Sequence, residues 1–223
     1  EPRFYADLGF DGGIWFGNGN YDVKNPYWLE MKRGQFLGKY QAGAHAVTGY
    51  HMKKFVYYTN TKTTNSGYSS TDWPWVMLRL ADLYLLYSEA LNEIDGPSPE
   101  VFEYLDAIRD RAGLPGIQAS WNTFSKTPSK YTTQSGLREI IHHERTIEMA
   151  FEGERFYDLR RWKEAPLELN EPILGWDVDQ EFENAYYRPR ILFNQTFSLK
   201  DYFWPLRERD LIVNKNLVQN PGW

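Results

Sequence analysis

The chain has 223 residues, 42% hydrophobic and 25% charged, with 25 basic against 30 acidic side chains and a formal net charge of −5. That length fits one large domain or two small ones, and so much apolar content excludes disorder as the main state. The acidic balance argues against a nucleic-acid partner and a polybasic membrane patch, and the absence of cysteine excludes disulfides, thiol nucleophiles and Cys-built zinc sites. No apolar run of about 18 residues exists to span a membrane. The conspicuous feature is aromatic: 9 Trp, 16 Tyr and 13 Phe, 17% of the chain. The sequence opens at Glu1 without an initiator Met or signal peptide and reads from its first residues as mid-protein.

Residues 1–71 are rich in Gly, Asn and aromatics, with no sustained helical period. Phe4, Tyr5, Leu8 and Phe10 suggest a short strand, and Met52–Tyr58 a second. The stretch 12–21 reads as a loop, because Gly and Asn tolerate positive φ, and 59–72 as a polar connection. At Asp72 the pattern changes. Val76, Leu80, Leu83, Tyr84, Tyr87 and Leu91 recur at helical spacing, with Asp72 as N-cap. Leu78, Ala81, Leu85 and Ala90 widen the apolar face, so this helix is expected to be buried on most sides. Asp95-Gly96-Pro97 ends it. Ser98-Pro99-Glu100 starts another, whose stripe is Val101, Leu105, Ile108 and Ala112 and whose stop is Gly113 with Pro115 beyond. The two form an αα-hairpin.

Residues 116–134 read as a polar loop carrying Trp121, Phe124 and Tyr131. A third helix begins near Ser135, with Leu137, Ile140, Ile141, Ile147 and Ala150 as its stripe. Gly153 interrupts it, and 154–163 is helical again around Phe156, Leu159 and Trp162. Residues 164–200 return to Pro, Gly, Asn and aromatics. Tyr202–Leu206 reads as a short buried strand or anchor, and 214–223 as a loop-like tail. The helical pairs at 72–112 and 135–163 have the size of solenoid repeat units.

No strong catalytic pattern emerges. His142-His143-Glu144 with Glu148 and Glu152 superficially resembles a metal cluster, but His143 has no acid three or four residues on. The acidic stripe Glu144, Glu148 and Glu152 is better read as pairing with nearby arginines. Asp177, Asp179, Glu181 and Glu183 form an acidic group in an aromatic-rich loop. It would serve a glycosidase only if two carboxyls converged on a cleft; the plainer reading is a solvated acidic loop. No GxSxG, HExxH, phosphate-loop or dinucleotide motif is present, and no EF-hand pattern marks a calcium site. No metal or cofactor is therefore expected.

Four segments, in order, carry a family resemblance. RLADLYLLYSEALNE at 79–93 is similar to the R-x-A-E-x-L-L-x-x-A-E-A helix of SusD/RagB-like nutrient-binding lipoproteins. LDAIRDRAGL at 105–114 is similar to N-x-I-R-x-R-A-G-L. ERTIEMAFEGERFYDLRRW at 144–162 is similar to E-R-x-x-E-L-A-x-E-G-x-R-x-x-D-L-x-R-W. The ending from Tyr202 to Trp223 matches that family's closing motif, and Pro2-Arg3-Phe4 its D-P-R opening to the C-terminal half. Asp82, Leu206-Arg207 and Trp223 depart modestly from the pattern.

The resemblance implies a mainly α fold of TPR-like helical hairpins with long aromatic-rich loops and a few short strands. It implies a non-catalytic glycan-binding protein (peptides in some members) on the outer membrane of Bacteroidota. Such proteins are lipid-anchored and partner a SusC-like TonB-dependent transporter in the manner of the starch utilization system. Family members are longer, so the chain looks like a C-terminal part, with the lipidated Cys and much of the helical scaffold in the portion preceding it. Residues 1–223 then form a single region: an irregular segment 1–71, a helical core 72–163 and an irregular segment 164–223.

Arg79, Glu89, Arg109, Arg111, Glu144, Arg145, Glu152, Arg155, Asp158 and Arg160 are expected to form interhelical salt bridges and caps. Sugar recognition asks instead for loop aromatics beside amides, because a pyranose offers an apolar C–H face and a rim of hydroxyls. The candidates are Trp15 and Tyr21 with Asn18 and Asn20, Trp28 with Tyr27 and Asn25, Trp121 beside Asn122, and Trp176 beside Asp177. Two other readings compete: a scaffold that docks the transporter through an exposed apolar patch, and a hydrolase using the 177–183 acids.

Overall fold

The computed structural model describes residues 1–17, 26–40, 45–57, 59–62 and 68–223. The fold is mainly helical, with short antiparallel strand pairs at its sides. Helix α1 (Pro2–Asp7) leads into β1 (Leu8–Phe10). Strands β2 (Ile14–Gly17) and β3 (Pro26–Trp28) pair with each other, and β4 (Tyr50–Met52) pairs with β1. A small hairpin follows, β5 (Thr61–Lys62) with β6 (Tyr68–Ser69).

The helical body then runs α2 (Leu80–Asp95), α3 (Pro99–Arg111), α4 (Ile117–Phe124), a 3-10 turn at Pro128–Thr132, α5 (Gln134–Glu148) and α6 (Arg155–Arg161). Beyond it come α7 (Ala165–Glu168), β7 (Ile173–Trp176), α8 (Glu183–Tyr186), β8 (Pro189–Phe193) and α9 (Glu208–Val213), with β7 antiparallel to β8.

The helix ends follow local chemistry. The Ser98 hydroxyl accepts from the Val101 N–H at 3.4 Å, with Pro99 in the first turn. Gly113 takes φ 73° just past α3, a backbone conformation that a β-carbon disfavours. The Thr133 hydroxyl caps α5 through the Gly136 N–H at 3.1 Å.

Helix α2 packs on α3 and α5. Their shared core is Leu85, Val101, Leu105, Ile108, Ile117, Leu137, Ile140, Ile141 and Met149. Full burial of such side chains contributes about 1.5–3 kcal/mol each. A second cluster, Leu29, Met31, Val178 and Tyr186, joins the first strands to the 173–187 region. A third, Leu159, Ala165 and Phe197, seats the segment after α6.

Several expectations are corrected. Residues 2–7 are a helix: Pro2 sits in its first turn and the Glu1 carboxylate accepts from the Arg3 N–H at 3.1 Å. The supposed loop 12–21 contains β2, and the supposed strand 52–58 ends at Met52, where a turn closes from the Val56 N–H to the Lys53 carbonyl. The polar connection 59–72 holds the β5–β6 hairpin.

Helix α2 starts at Leu80 with Arg79 as N-cap, eight residues later than Asp72. Pro74 disfavours helical backbone at Trp73, which keeps the approach extended. The supposed 116–134 loop folds as α4 and the 3-10 turn, and 164–200 holds α7, β7, α8 and β8. At 202–206 the chain leaves a 3-10 turn, pairs with no strand among the described residues and is not buried, since Phe203 and Trp204 are exposed.

The inward face of α2 is only partly the expected one. Leu85 is buried and Ala81, Tyr84 and Leu91 pack against the core, but Asp82, Ser88 and Asn92 are buried too, whereas Leu80, Leu83 and Tyr87 of the apolar stripe are exposed. Two of the polar inward residues bond to other elements. Asp82 receives Arg145 at 2.5 Å, and the Asn92 amide donates to the Gln134 carbonyl at 3.0 Å.

Candidate functional site

Motif charges account for much of the interior polarity. The Arg145 guanidinium is 2% exposed and donates to Asp82 at 2.5 Å and Asp158 at 2.7 Å. Glu148 receives Arg3 at 3.1 Å, Arg79 at 2.5 Å and Arg111 at 2.5 Å. Glu144 pairs with Arg3 at 2.6 Å and Arg109 at 2.8 Å. Burial would raise the Glu152 carboxyl, but Arg79 and Lys54 outweigh it and hold it below its ordinary range.

Glu89 accepts from both arms of Arg161 and from the Trp162 indole at 2.9 Å, beside His142. Burial opposes these bonds, yet the carboxyl is pulled down to about 2. Arg155 reaches Thr146 and Glu168, while Arg160 donates only to the carbonyls of Phe156 and Asp201. The stripe 144, 148 and 152 is thus occupied by cationic side chains. Among the described residues no group of three His, Asp or Glu side chains is placed to hold a metal ion.

Three of the four acids of 177–183 are likewise engaged. Arg190 reaches Asp177 at 2.6 Å and Asp179 at 2.7 Å, Lys39 also pairs with Asp179, and Arg33 meets Glu181 at 2.7 Å. These partners link the strand pair β7–β8 to the 32–40 turns. Lys39 and Arg190 hold the Asp179 carboxyl below its ordinary range, whereas a general acid must hold a proton.

The tryptophans named from the sequence fall into different surroundings. Trp15 and Trp176 are half-buried against the Leu29–Tyr186 cluster. Trp176 meets Tyr187 edge-on at 5.5 Å, and Gly49, at φ 77°, lies so close that a β-carbon there would come within 2.7 Å of the indole. Trp28 ends β3 with 54% of its surface open. Trp121 packs on the helical core with the Lys130 ammonium 5.5 Å above its ring. Asn18 and Tyr21, with Asn20 and Asn25, lie outside the described residues.

A different aromatic group stands between β4 and α2. Phe55 and Trp75 stack at 4.5 Å, Phe55 and Trp73 at 6.1 Å, and Trp73 and Tyr57 at 6.2 Å with planes 8° apart. Trp75 is 58% exposed. Hydrogen-bonding groups adjoin the rings in sequence. The Thr59 hydroxyl donates to that of Thr71 at 2.8 Å, and the Thr71 N–H donates to the Asn60 amide oxygen at 2.7 Å. Large rings with an open face beside hydroxyls and an amide form a surface suited to a sugar's apolar face and hydroxyl rim. The Trp73-Pro74-Trp75 signal was present in the sequence, but it fell inside the presumed helix start.

The SusD family model matches residues 1–223. SusD-like protein P2 of Formosa agariphila is 34% identical over 179 residues, covering 80% of this chain and 31% of that protein. SusD-like protein P25 of the same organism is 40% identical over 147 residues, 65% of this chain and 23% of that one. Among solved structures, BT4246 matches all of this chain and 38% of its own length, with 28% identity and a TM-score of 0.83. A SusD-like protein from Bacteroides fragilis matches with 29% identity and a TM-score of 0.76, covering 100% of this chain and 39% of that one. The chain belongs to the SusD family. It spans between 23% and 39% of the length of these relatives.

Proposed function

We propose that this chain is a non-catalytic glycan-binding region of a cell-surface nutrient-uptake protein. The observation that carries the reading is the Phe55, Tyr57, Trp73 and Trp75 group with Thr59, Asn60 and Thr71 beside it. A pyranose would stack on the open face of Trp75 and turn its hydroxyls toward the threonines and the amide. Stacking on one ring contributes no more than about 1–3 kcal/mol, the range known for bases. Affinities of roughly micromolar to millimolar are therefore expected.

In this reading residues 1–223 act as one region. The TPR-like helices are the frame, and the segments before and after them carry the ligand-facing aromatics. Trp15, Asn18, Tyr21, Trp28, Trp121 and Trp176 remain candidates, with Trp28 the most open of the four tryptophans. Family membership supports an outer-membrane, lipid-anchored location in the whole protein and delivery of the glycan to a SusC-like TonB-dependent transporter. No described helix is long and apolar enough to cross a membrane. The pairing of Asp177, Asp179 and Glu181 with cations weighs against hydrolysis.

Titration calorimetry against a panel of neutral polysaccharides, with Trp75→Ala and Trp28→Ala variants, tests the proposal. The expected result is binding without release of hydrolysis products, weakened about five- to a hundredfold by Trp75→Ala. Hydrolysis, or full affinity without Trp75, refutes it. A second reading is favoured by the exposed run Trp75, Val76, Met77 and Leu78: a docking surface for the transporter. Loss of transporter association in Trp75→Ala, with no glycan bound by the parent protein, would establish that alternative.

A further inference from the structure

The helical body carries a cleft of about 560 Å³ on elements separate from the aromatic group before α2. Clefts that hold small ligands measure about 300–1,000 Å³. One side is formed by the first turns of α3 and the other by α4 and the 3-10 turn. The wall is apolar at Phe102 and Tyr131, which meet edge-on at 5.9 Å, and Pro99 extends it. Tyr131 is held in place by donating to the Asn122 side chain at 3.2 Å. Glu103 and Asp106 of α3 and Gln118 of α4 also line the cleft.

The polar set is one-sided in charge. Asp106 accepts from the Ile117 N–H at 2.7 Å and so fixes the start of α4 across the cleft. Gln118 and Glu103 are exposed and make no hydrogen bond or ion pair with another described residue. The lysine of the neighbouring turn, Lys130, is engaged by Glu139 at 2.5 Å and by the Trp121 ring. A ligand here meets an aromatic wall, an open carboxylate, an open amide and a second negative charge behind them. That chemistry accepts a ring with an apolar face and donor groups on its rim. It attracts an ammonium substituent and repels a carboxylate or sulfate.

We propose that this cleft is a second saccharide subsite, selective for amino-sugar units, tolerant of neutral ones and closed to acidic ones. It relies on the glycan reading above for the class of ligand, and adds a site and a charge preference to it. The amide spectrum of the isotope-labelled protein, titrated separately with the β-1,4-linked glucosamine disaccharide, cellobiose and digalacturonate, tests it. The expected result is saturable shifts at Phe102, Gln118 and Thr132, with the glucosamine disaccharide tightest, cellobiose weaker and digalacturonate silent.

Glu103→Gln should weaken the glucosamine disaccharide about tenfold while changing cellobiose little. Gln118→Ala should weaken both sugars, and Trp75→Ala neither. Both altered positions are exposed, and an unchanged spectrum away from the cleft confirms that the variants fold. Shifts near Trp75 alone would overturn the second subsite and leave the first standing. Silence from every sugar at both places would overturn both. Equal binding of digalacturonate, or the same shifts from trilysine at the same concentration, would also overturn the assignment, because charge or crowding alone would then explain the response.

Discussion

At the scale of single residues, the interior is organised by arginine. Arg145 sits between Asp82 and Asp158, all three almost wholly buried. Removing the guanidinium leaves the Asp82 carboxylate buried without a counter-charge and Asp158 with Arg161 alone. Arg145→Ala should therefore cost about 3–5 kcal/mol in urea unfolding. Lysine should restore only part of this, since a point charge cannot satisfy both partners with fork geometry.

Glu89 makes a pH prediction of definite sign. Its carboxyl lies near 2 in the folded chain against an ordinary 4.5. A depressed carboxylate contributes its stability above its unfolded value and loses it as pH falls through the folded one. The urea midpoint should decline between about pH 4.5 and pH 2, and Glu89→Gln should flatten that decline. Asp11 and Glu152 are shifted in the same direction, despite burial, by Lys32 and Arg79 respectively, so some slope will remain.

At the scale of elements, α2 has two apolar faces of different worth. Leu85 is fully buried, so Leu85→Ala should cost about 2–5 kcal/mol. Ile94 on the same helix is 77% exposed, and Ile94→Lys should stay within about 0.5 kcal/mol of the parent in the same melts. Ser98→Ala should remove about 1 kcal/mol by uncapping α3.

The ends of α3 were legible in the sequence because Ser98, Pro99 and Gly113 act on the backbone beside them. The start of α2 was not, because the helical spacing of Val76 and Leu80 continues upstream of the real boundary. Nor was its whole inward face. Hydrophobic periodicity puts the apolar stripe inward, but here Asp82 and Asn92 point in beside Leu85, each bonded to a residue more than 40 positions away. The Phe55–Trp75 group was missed for a related reason: its halves lie in segments that reading the chain in order kept apart.

At the scale of the molecule, stability should be uneven. The nine-residue core of α2, α3, α4 and α5 is larger than either satellite cluster. Amide hydrogen exchange should be slowest in α2, α3 and α5, and faster in the two-stranded pair β1–β4, where Gly9 alone is buried. The chain also exposes 14732 Å², where a compact monomer of its mass shows about 10,600 Å². Part of that surface is the outward row Leu80, Leu83 and Tyr87.

The sequence by itself determined the family, through four ordered motifs, and the existence of α2, α3, α5 and α6 with most of their ends. It also determined the pairing role of the motif charges, since buried acids and arginines in a helical scaffold must find each other. Tertiary structure decided which aromatics share a surface, which face of α2 is buried, and that 117–132 walls a cleft. Those outcomes depend on contacts between residues distant in the chain. Local backbone preference and periodicity carry no record of them.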